Sequence, residues 1–446
     1  MLTQNQIDMV IKAERDLWGM PETGFREVRS CAYMMDAFVK MGYNVVPAGN
    51  IPGFYADLDT HKEGPCVAII AELDALLVPG HPQADKETGA AHACGHHAQG
   101  AMLLGVAAAM LNENALDGLC GKIRFISVPA EELIEISYRE QLRKDGIIEY
   151  YSGKMEFVRR GIFDDVDMAI LVHSSGLPAG KKLAISKGDN GSVAKRAIFH
   201  GRASHAGGSP SGGINALYAA TNAMAAANAI RETFIDSGQV RFHPIITEGG
   251  SAVNAIPDRV VVESYVRGAS VDILKTYNRK INRAFAASAA AMGAKLTLSD
   301  RVGFYPLNND MALANVMKES MEELCGEEDC VIVSQGRGGA STDMGDLSTI
   351  MPVVQAVSTG CCGACHGDSF GVKDSYSACV LTAQCTVLAI RKLLENDAVV
   401  ANNIKENYKP LYKSKEEYFE GSKEFIFDID AVVYNEDGSV TLKYMQ

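Results

Sequence analysis

Apolar and polar positions alternate along the chain in blocks whose spacing predicts helices and strands in turn. The opening "MLTQNQIDMVIKAERDLW" is an amphipathic helix pattern, and "YNVVPA" and "GFYADL" read as strands. "PCVAIIAELDAL" holds a continuous apolar run, as a strand covered on both faces requires, and breaks into acidic residues. A helix is expected over residues 99 to 114. "GKIRFISVPAEE" repeats the strand and ends in paired glutamates, and "VDMAILVHSSG" repeats it with a histidine. Three strands thus deliver polar groups to what would be one sheet edge, the carboxyl edge where α/β proteins build their sites. That regularity predicts an α/β fold, a mostly parallel sheet with helices on both faces.

Between about residues 190 and 305 the texture changes. "GSVAKRAIFHGRASH" is strand-like, "GINALYAATNAMAAANAIRETF" an alanine-rich helix, "VRFHPIITEGG" and "DRVVVESYVRG" strands, "VDILKTYNRKINRAFAASAAAMGA" a helix, and "KLTLSDR" a last strand. The order β-α-β-β-α-β predicts a smaller α+β domain of ferredoxin-like type inserted in the larger one. The first fold resumes near 308 and closes with a helix expected from about 374 to 395. The predicted organisation is a catalytic domain in two parts, 1–189 and 306–400, the insertion at 190–305, and a more charged C-terminal extension at 401–446. The extension carries the strand-like "KEFIFDI" and "SVTLKYM" and no assignable chemistry.

Composition narrows the partners. With 47% apolar and 22% charged residues the chain reads as globular. Its net charge of -13, without a basic tract, would repel nucleic acid phosphates and anionic membrane. The N-terminus lacks the pattern of a secretory signal, and the longest apolar run, around "GAMLLGVAAAML", falls short of the roughly 20 residues of a membrane span, so a cytoplasmic protein is expected. Eleven irregularly spaced cysteines predict mostly reduced thiols. "CCGAC", with Cys361, Cys362 and Cys365, includes a lone CxxC, a weak signal for zinc or redox chemistry that assigns these thiols no role.

The chemistry concentrates elsewhere. Cys94, His96, Glu131, Glu132, His173 and His366 each fall at a strand end or in a short polar loop. Thiolate, imidazole and carboxylate together are the set that holds zinc or a similar divalent ion. In "CGH" the two ligands are two residues apart, so one curled loop can present both. Adjacent glutamates are costly to bury unpaired, so a metal can take one while the other acts as general base. Asp74 in "AELDAL" is placed to accept a hydrogen bond from a ligand imidazole and fix its tautomer, or to cap a helix.

These motifs resemble the M20 metallopeptidase family, in its amidohydrolase branch of aminoacylase, hippurate hydrolase and indoleacetyl-amino acid hydrolase type. "PETGFRE" at 21–27 matches the family's "PELGFxE", "AELDALL" its "ADMDALP", and "HACGHHAQGAMLLG" its "HACGHDAHxAMLLG". "PAEE" is intact at 129–132, and "SHAGGSPSGGINA" and the stretch from Gly249 through Arg267 match the inserted domain's patterns. The resemblance runs from about residue 10 to 395. It implies two divalent ions, zinc or manganese, bridged by Cys94, with His96 and His173 on one and Glu132 and His366 on the other. It makes Glu131 the general base and His205 the group that reaches the scissile carbonyl, often across a homodimer joined through the inserted domain, which doubles as a lid. Asn254 and Arg267 are implied to grip the substrate's amide or carboxylate. Three departures stand out: His97 and Gln99 in "CGHHAQG", "GASTDMGDLS" with Asp343 and Asp346 where the branch has "GSEDF", and "GACHGDSF" around the last ligand. The second is similar to aminobenzoyl-glutamate hydrolase subunits and a related mammalian dipeptidase-like group; as readings of the residues themselves, both aspartates could equally cap the following turn.

The expected reaction is hydrolysis of the amide bond in N-acyl-amino acids or aminobenzoyl-glutamate-like substrates. A dipeptidase is the alternative, but nothing in the sequence picks out an acidic group for a free amine. A noncatalytic metal-binding subunit, or assembly with a heterologous subunit, is the rival of a different class, and a full set of ligands and base counts against it. The "GRGG" at 336–339 lacks the strand and spacing of a dinucleotide fingerprint.

Overall fold

A computed structural model describes residues 1–444. The large sheet has eight strands in the order Val45–Pro47, Phe54–Asp59, Lys122–Val128, Cys66–Glu72, Met168–Ser174, Val353–Ser358, Leu183–Ile185 and Val331–Val333. Its four central strands, Lys122–Val128 through Val353–Ser358, are mutually parallel. Antiparallel pairs flank them on both sides, so the sheet is mixed around a parallel centre.

Alternation along the central strands builds two cores. Val67, Ile69 and Ala71 face one, and Ala68 and Ile70 face the other, as the two-residue strand repeat dictates. On the first face His96–Met110 is buried along its whole length between Gln4–Trp18 and Thr382–Asn407. That helix starts three residues before the expected position because Gly95 adopts a left-handed turn (φ 92°) and hands His96 directly into the first turn. On the second face Gly153–Arg159 and Met344–Leu347 pack together beneath the sheet.

The expected 374–395 helix opens with a wide turn at Tyr376–Leu381 and continues as Thr382–Asn407, broken where residues 395–398 leave helical geometry. The whole stretch Tyr376–Asn407 is long and apolar enough to cross a membrane, unlike the shorter run singled out in the sequence, but it is mostly buried within this fold.

The smaller sheet is antiparallel throughout, ordered Arg241–Glu248, Arg259–Gly268, Gly191–His200, Lys295–Phe304, Phe427–Asp430. Its first four members have the ferredoxin-like order, with helices Ala216–Ala229 and Val271–Ala291 packed against them. Ala216, Ala219, Ala220, Ala223 and Ala227 form the buried face of the first helix, small enough to admit Phe199, Phe242 and Phe285. The fifth strand comes from the C-terminal extension, which also sends Tyr418 into the core under the large sheet. The extension is thus a structural part of both layers. Phe427→Ala is expected to cost about 3 kcal/mol in urea denaturation through loss of this buried side chain; an unchanged midpoint would mean the strand does not dock.

Candidate metal centre

The strands Lys122–Val128, Cys66–Glu72 and Met168–Ser174 lie side by side, with Ser127 opposite Ala71 and Leu171 opposite Ile70. Parallel register therefore brings Glu72 and Asp74, the "PAEE" loop and His173 to one edge. Cys94 and His96 enter through the Gly95 turn, where an added Cβ would sit 3.1 Å from the Ser174 carbonyl oxygen. His366 enters from the loop after Cys361–Cys362, in a left-handed backbone (φ 64°) fixed by its amide bond to the Ala93 carbonyl (2.8 Å). Ala130 is left-handed as well (φ 56°), and such backbone strain is held only where surroundings over-determine it. Here Glu27, from "PETGFRE", accepts the Ala130 amide at 2.7 Å, and the fully buried Arg139 donates to the Glu132 and Tyr151 carbonyls.

Two ligand triads share one thiol. Cys94, His96 and His173 place donor atoms within 4.8 Å of one another, and so do Cys94, Glu132 and His366. Cys94 Sγ is 3.2 Å from His173 Nε2, and His366 Nε2 is 3.2 Å from Glu132 Oε1. A third grouping joins Glu72, His96 and Glu131, with His96 Nε2 3.1 Å from Glu72 and 4.0 Å from Glu131. Glu72 is already engaged there: Lys154 Nζ lies 2.6 Å from its Oε1 and Gln99 donates to its Oε2 at 2.7 Å.

Asp74 lies behind the first triad. Its Oδ1 is 3.1 Å from His96 Nδ1, its carbonyl oxygen 3.0 Å from the same nitrogen, and its Oδ2 accepts the Glu132 amide at 2.8 Å. That geometry places a proton of His96 on Nδ1, while its buried Nε2 faces Glu72 at 3.1 Å without a well-aligned hydrogen bond, and against burial Glu72 raises the imidazole well above its ordinary range. An orphaned imidazole nitrogen beside a thiol and carboxylates fits a divalent first-row cation.

Beneath this layer sits a charge cluster that the sequence did not disclose. Lys154 is fully buried and paired with both Glu72 and Asp343, and Asp343 Oδ2 also accepts the Lys154 amide at 3.1 Å. Asp343 and Asp346 do not serve as side-chain caps. Asp343 stands immediately before Met344–Leu347 without a side-chain cap bond, and Asp346 accepts the Tyr418 hydroxyl at 2.9 Å. Of the other departures, Gln99 orients Glu72, and His97 faces Glu14 (3.4 Å) and the Trp18 ring.

Burial sets the direction of titration for Glu131, Cys94 and His173. It raises the Glu131 carboxyl well above its ordinary range, reinforced by Glu72 and Glu132. It also raises the Cys94 thiol, helped by Glu132, and lowers His173 to about 4, helped by His96. Against burial, Lys154 holds Glu72 down to about 2, and His366 lowers Glu132. A bound cation would favour the thiolate and both carboxylates in their charged forms.

A cavity of about 510 Å³ opens onto Cys94, Glu131, Glu132, His173 and His366, and Arg267, stacked over Tyr265 at 4.4 Å, lines it as well. His205 and Asn254 do not line it. Both are exposed on the smaller domain: His205 lies in the strand Ser204–His205, paired with Ala255–Ile256, and Asn254, just before that partner strand, accepts the Ala206 amide on its carbonyl at 2.9 Å, while His205 Nδ1 accepts the Gly208 amide at 2.8 Å.

Lys154→Met would leave Glu72 and Asp343 buried without a cation. A stability loss of about 3–5 kcal/mol is expected in urea denaturation, with partial recovery when Asp343→Asn is added. Additive losses in the double variant would show that the two residues are not coupled.

Residues 54–389 match the profile of Peptidase family M20/M25/M40. The chain is 28% identical over 324 residues to N-acetyl-L-cysteine deacetylase of Bacillus subtilis, covering 70% of this chain and 71% of that protein. It is 31% identical over 261 residues to indole-3-acetyl-aspartic acid hydrolase of Enterobacter agglomerans, covering 56% and 55%, and 28% over 356 residues to Xaa-Arg dipeptidase of Mus musculus, covering 76% and 73%. Among solved structures, a dinuclear metal binding peptidase of Bacillus subtilis superposes with a TM-score of 0.63 at 20% identity, over 87% of this chain and 98% of that one. With the fold, the ligand triads and this match in hand, the chain belongs to Peptidase family M20/M25/M40 and is a metal-dependent amidohydrolase or peptidase.

Proposed function

We propose that the chain hydrolyses the amide bond of N-acyl-amino acids or aminobenzoyl-glutamate-like substrates with two divalent ions, zinc or manganese. The observation that carries this reading is the membership of Cys94 in two ligand triads at once, with Glu131 on the same cavity wall. Cys94, His96 and His173 would hold one ion, and Cys94, Glu132 and His366 the other. When bound, such ions lower the pKa of water and polarise a carbonyl. Glu131, whose burial favours proton uptake, would take a proton from the attacking water and return it to the leaving amine. Asp74 would hold the His96 ring in its ligand tautomer, and Arg267 would grip a substrate carboxylate. Relatives named for deacetylation and for hydrolysis of an indoleacetyl-amino acid, and a related structure described as dinuclear, support the reading.

His205 and Asn254 sit at the exposed tip of the smaller domain, which supports a homodimer in which each copy reaches into the other's cavity; a heterologous subunit would meet the same need. Eleven free cysteines are in keeping with a cytoplasmic setting. A dipeptidase is the second reading, favoured by a carboxylate on the cavity wall, Asp189. A noncatalytic subunit has no use for a buried, proton-accepting Glu131 beside a complete ligand set.

Glu131→Gln is expected to lower kcat by about 10²–10⁴-fold on hippurate-like substrates or aminobenzoyl-glutamate, with metal content by mass spectrometry unchanged. Loss of metal along with activity would reassign Glu131 as a ligand.

A further inference from the structure

We infer that Asp189, fixed in the wall of the metal-lined cavity by the glycine loop 336–339, forms a subsite for a cationic group of the substrate, an ammonium or a guanidinium. The inference rests on the hydrolytic reading above and specifies the substrate class that the site takes.

Asp189 lies on the connection from Leu183–Ile185 to Gly191–His200, where the chain passes from the large sheet to the small one. It lines the same cavity as Glu131, His366 and Arg267. The loop is stitched to both sides of it: Gly338 donates its amide to the Gly188 carbonyl at 2.8 Å, and Asn190 donates to the Ala340 carbonyl at 2.9 Å. At Gly338 an added Cβ would lie 1.9 Å from Asp189 Oδ1, so only glycine lets the loop press this closely on the carboxylate. The "GRGG" stretch, which is no dinucleotide loop, thereby acquires a use.

The carboxylate is available to a cation. Among the described residues no lysine or arginine nitrogen pairs with it. Arg337 is the nearby cation of the loop; its terminal nitrogens donate to Asn308 Oδ1 (2.8 Å) and to the Asp189 (2.7 Å) and Leu307 carbonyls, its buried Nε has no partner, and it makes no ion pair with the Asp189 carboxylate. Arg267 bonds the Gly339 carbonyl at 3.4 Å and stacks on Tyr265, and its buried Nε has no partner. Burial accordingly raises the Asp189 carboxyl, against the pull of Arg337, the Ala340 amide and Arg267. Leaving a partly desolvated carboxylate unpaired is unfavourable, and a bound cation relieves it.

The cavity lining presents a fixed cation, Arg267, and a fixed anion, Asp189, that form no direct ion pair. Ser192 Oγ, Ser341 Oγ and Gln355 Oε1, which also line the cavity, are buried without partners. A purely apolar acyl group would leave all of these unsatisfied, whereas a ligand carrying both a carboxylate and a cation answers them. The cation comes either from a free α-amine or from a basic side chain.

The test uses the metal-loaded enzyme and two matched pairs: alanyl-leucine against propionyl-leucine, which removes the α-amine, and propionyl-lysine against propionyl-norleucine, which removes the side-chain ammonium. The wild type is expected to prefer the cationic member of one pair by about tenfold or more in kcat/KM, and that pair identifies the source. Asp189→Asn should bring the ratio close to one, and Gly338→Ala, by displacing the carboxylate, should lower it as well. Binding of the same four compounds to Glu131→Gln, with and without Asp189→Asn, is measured by calorimetry. No preference in either pair, or one that survives Asp189→Asn, overturns the subsite while hydrolysis stands. A preference in binding that Asp189→Asn removes, without turnover of any compound by the wild type, keeps the subsite and overturns the hydrolytic reading.

Discussion

Five buried carboxylates, Glu72, Asp74, Glu131 and Glu132 at one edge of the large sheet and Asp343 beneath it, lie close together, and the structure depends on how their charge is compensated. Lys154 settles Glu72 and Asp343 from below. Asp74 is satisfied by His96 and by the Glu132 amide. Glu131 and Glu132 then remain with a thiol and three imidazoles around an open cavity, a donor set that protein groups alone leave incomplete. Divalent cations are the natural complement, and the family to which the chain belongs fits that demand.

Much of the architecture serves to keep these groups in place. Two buried cores clamp the sheet from either face, so the strand ends have little freedom to drift apart. Glu27 and Arg139 hold the strained turn at Ala130, and the Gly95 turn carries Cys94 and His96 to the same point. The connection through Asp189 runs from the large sheet to the smaller one, and the cavity beside the candidate metal centre is lined by residues of both.

Legibility in the sequence followed chain locality. Cys94, His96, Glu132 and His173 stood out because each ends an apolar strand or opens a buried helix, and parallel register converts that shared position into proximity. His366 stood out as a histidine in a short polar loop, and the family pattern assigned it a metal. Lys154 was hidden: a lone lysine after "YYSG" signals nothing until the fold brings two carboxylates onto it from distant segments. Asp343 was ambiguous for the same reason, since turn capping and a buried ion pair look alike in one dimension. The strand-like "KEFIFDI" of the C-terminal extension was legible as a strand, but its partner, Lys295–Phe304, is revealed only in three dimensions. His205 and Asn254 are matched by motif yet lie outside the cavity of their own chain, because one chain's fold does not bring the tip of the smaller domain to the metal edge.

The central claim is that one thiol organises two ion sites, and metal stoichiometry tests it most directly. The purified chain, equilibrated with zinc or manganese and freed of excess metal, is expected to retain two divalent ions per copy by mass spectrometry, and Cys94→Ala to retain markedly fewer. A single ion in the wild type, or two ions undiminished in Cys94→Ala, would contradict the account.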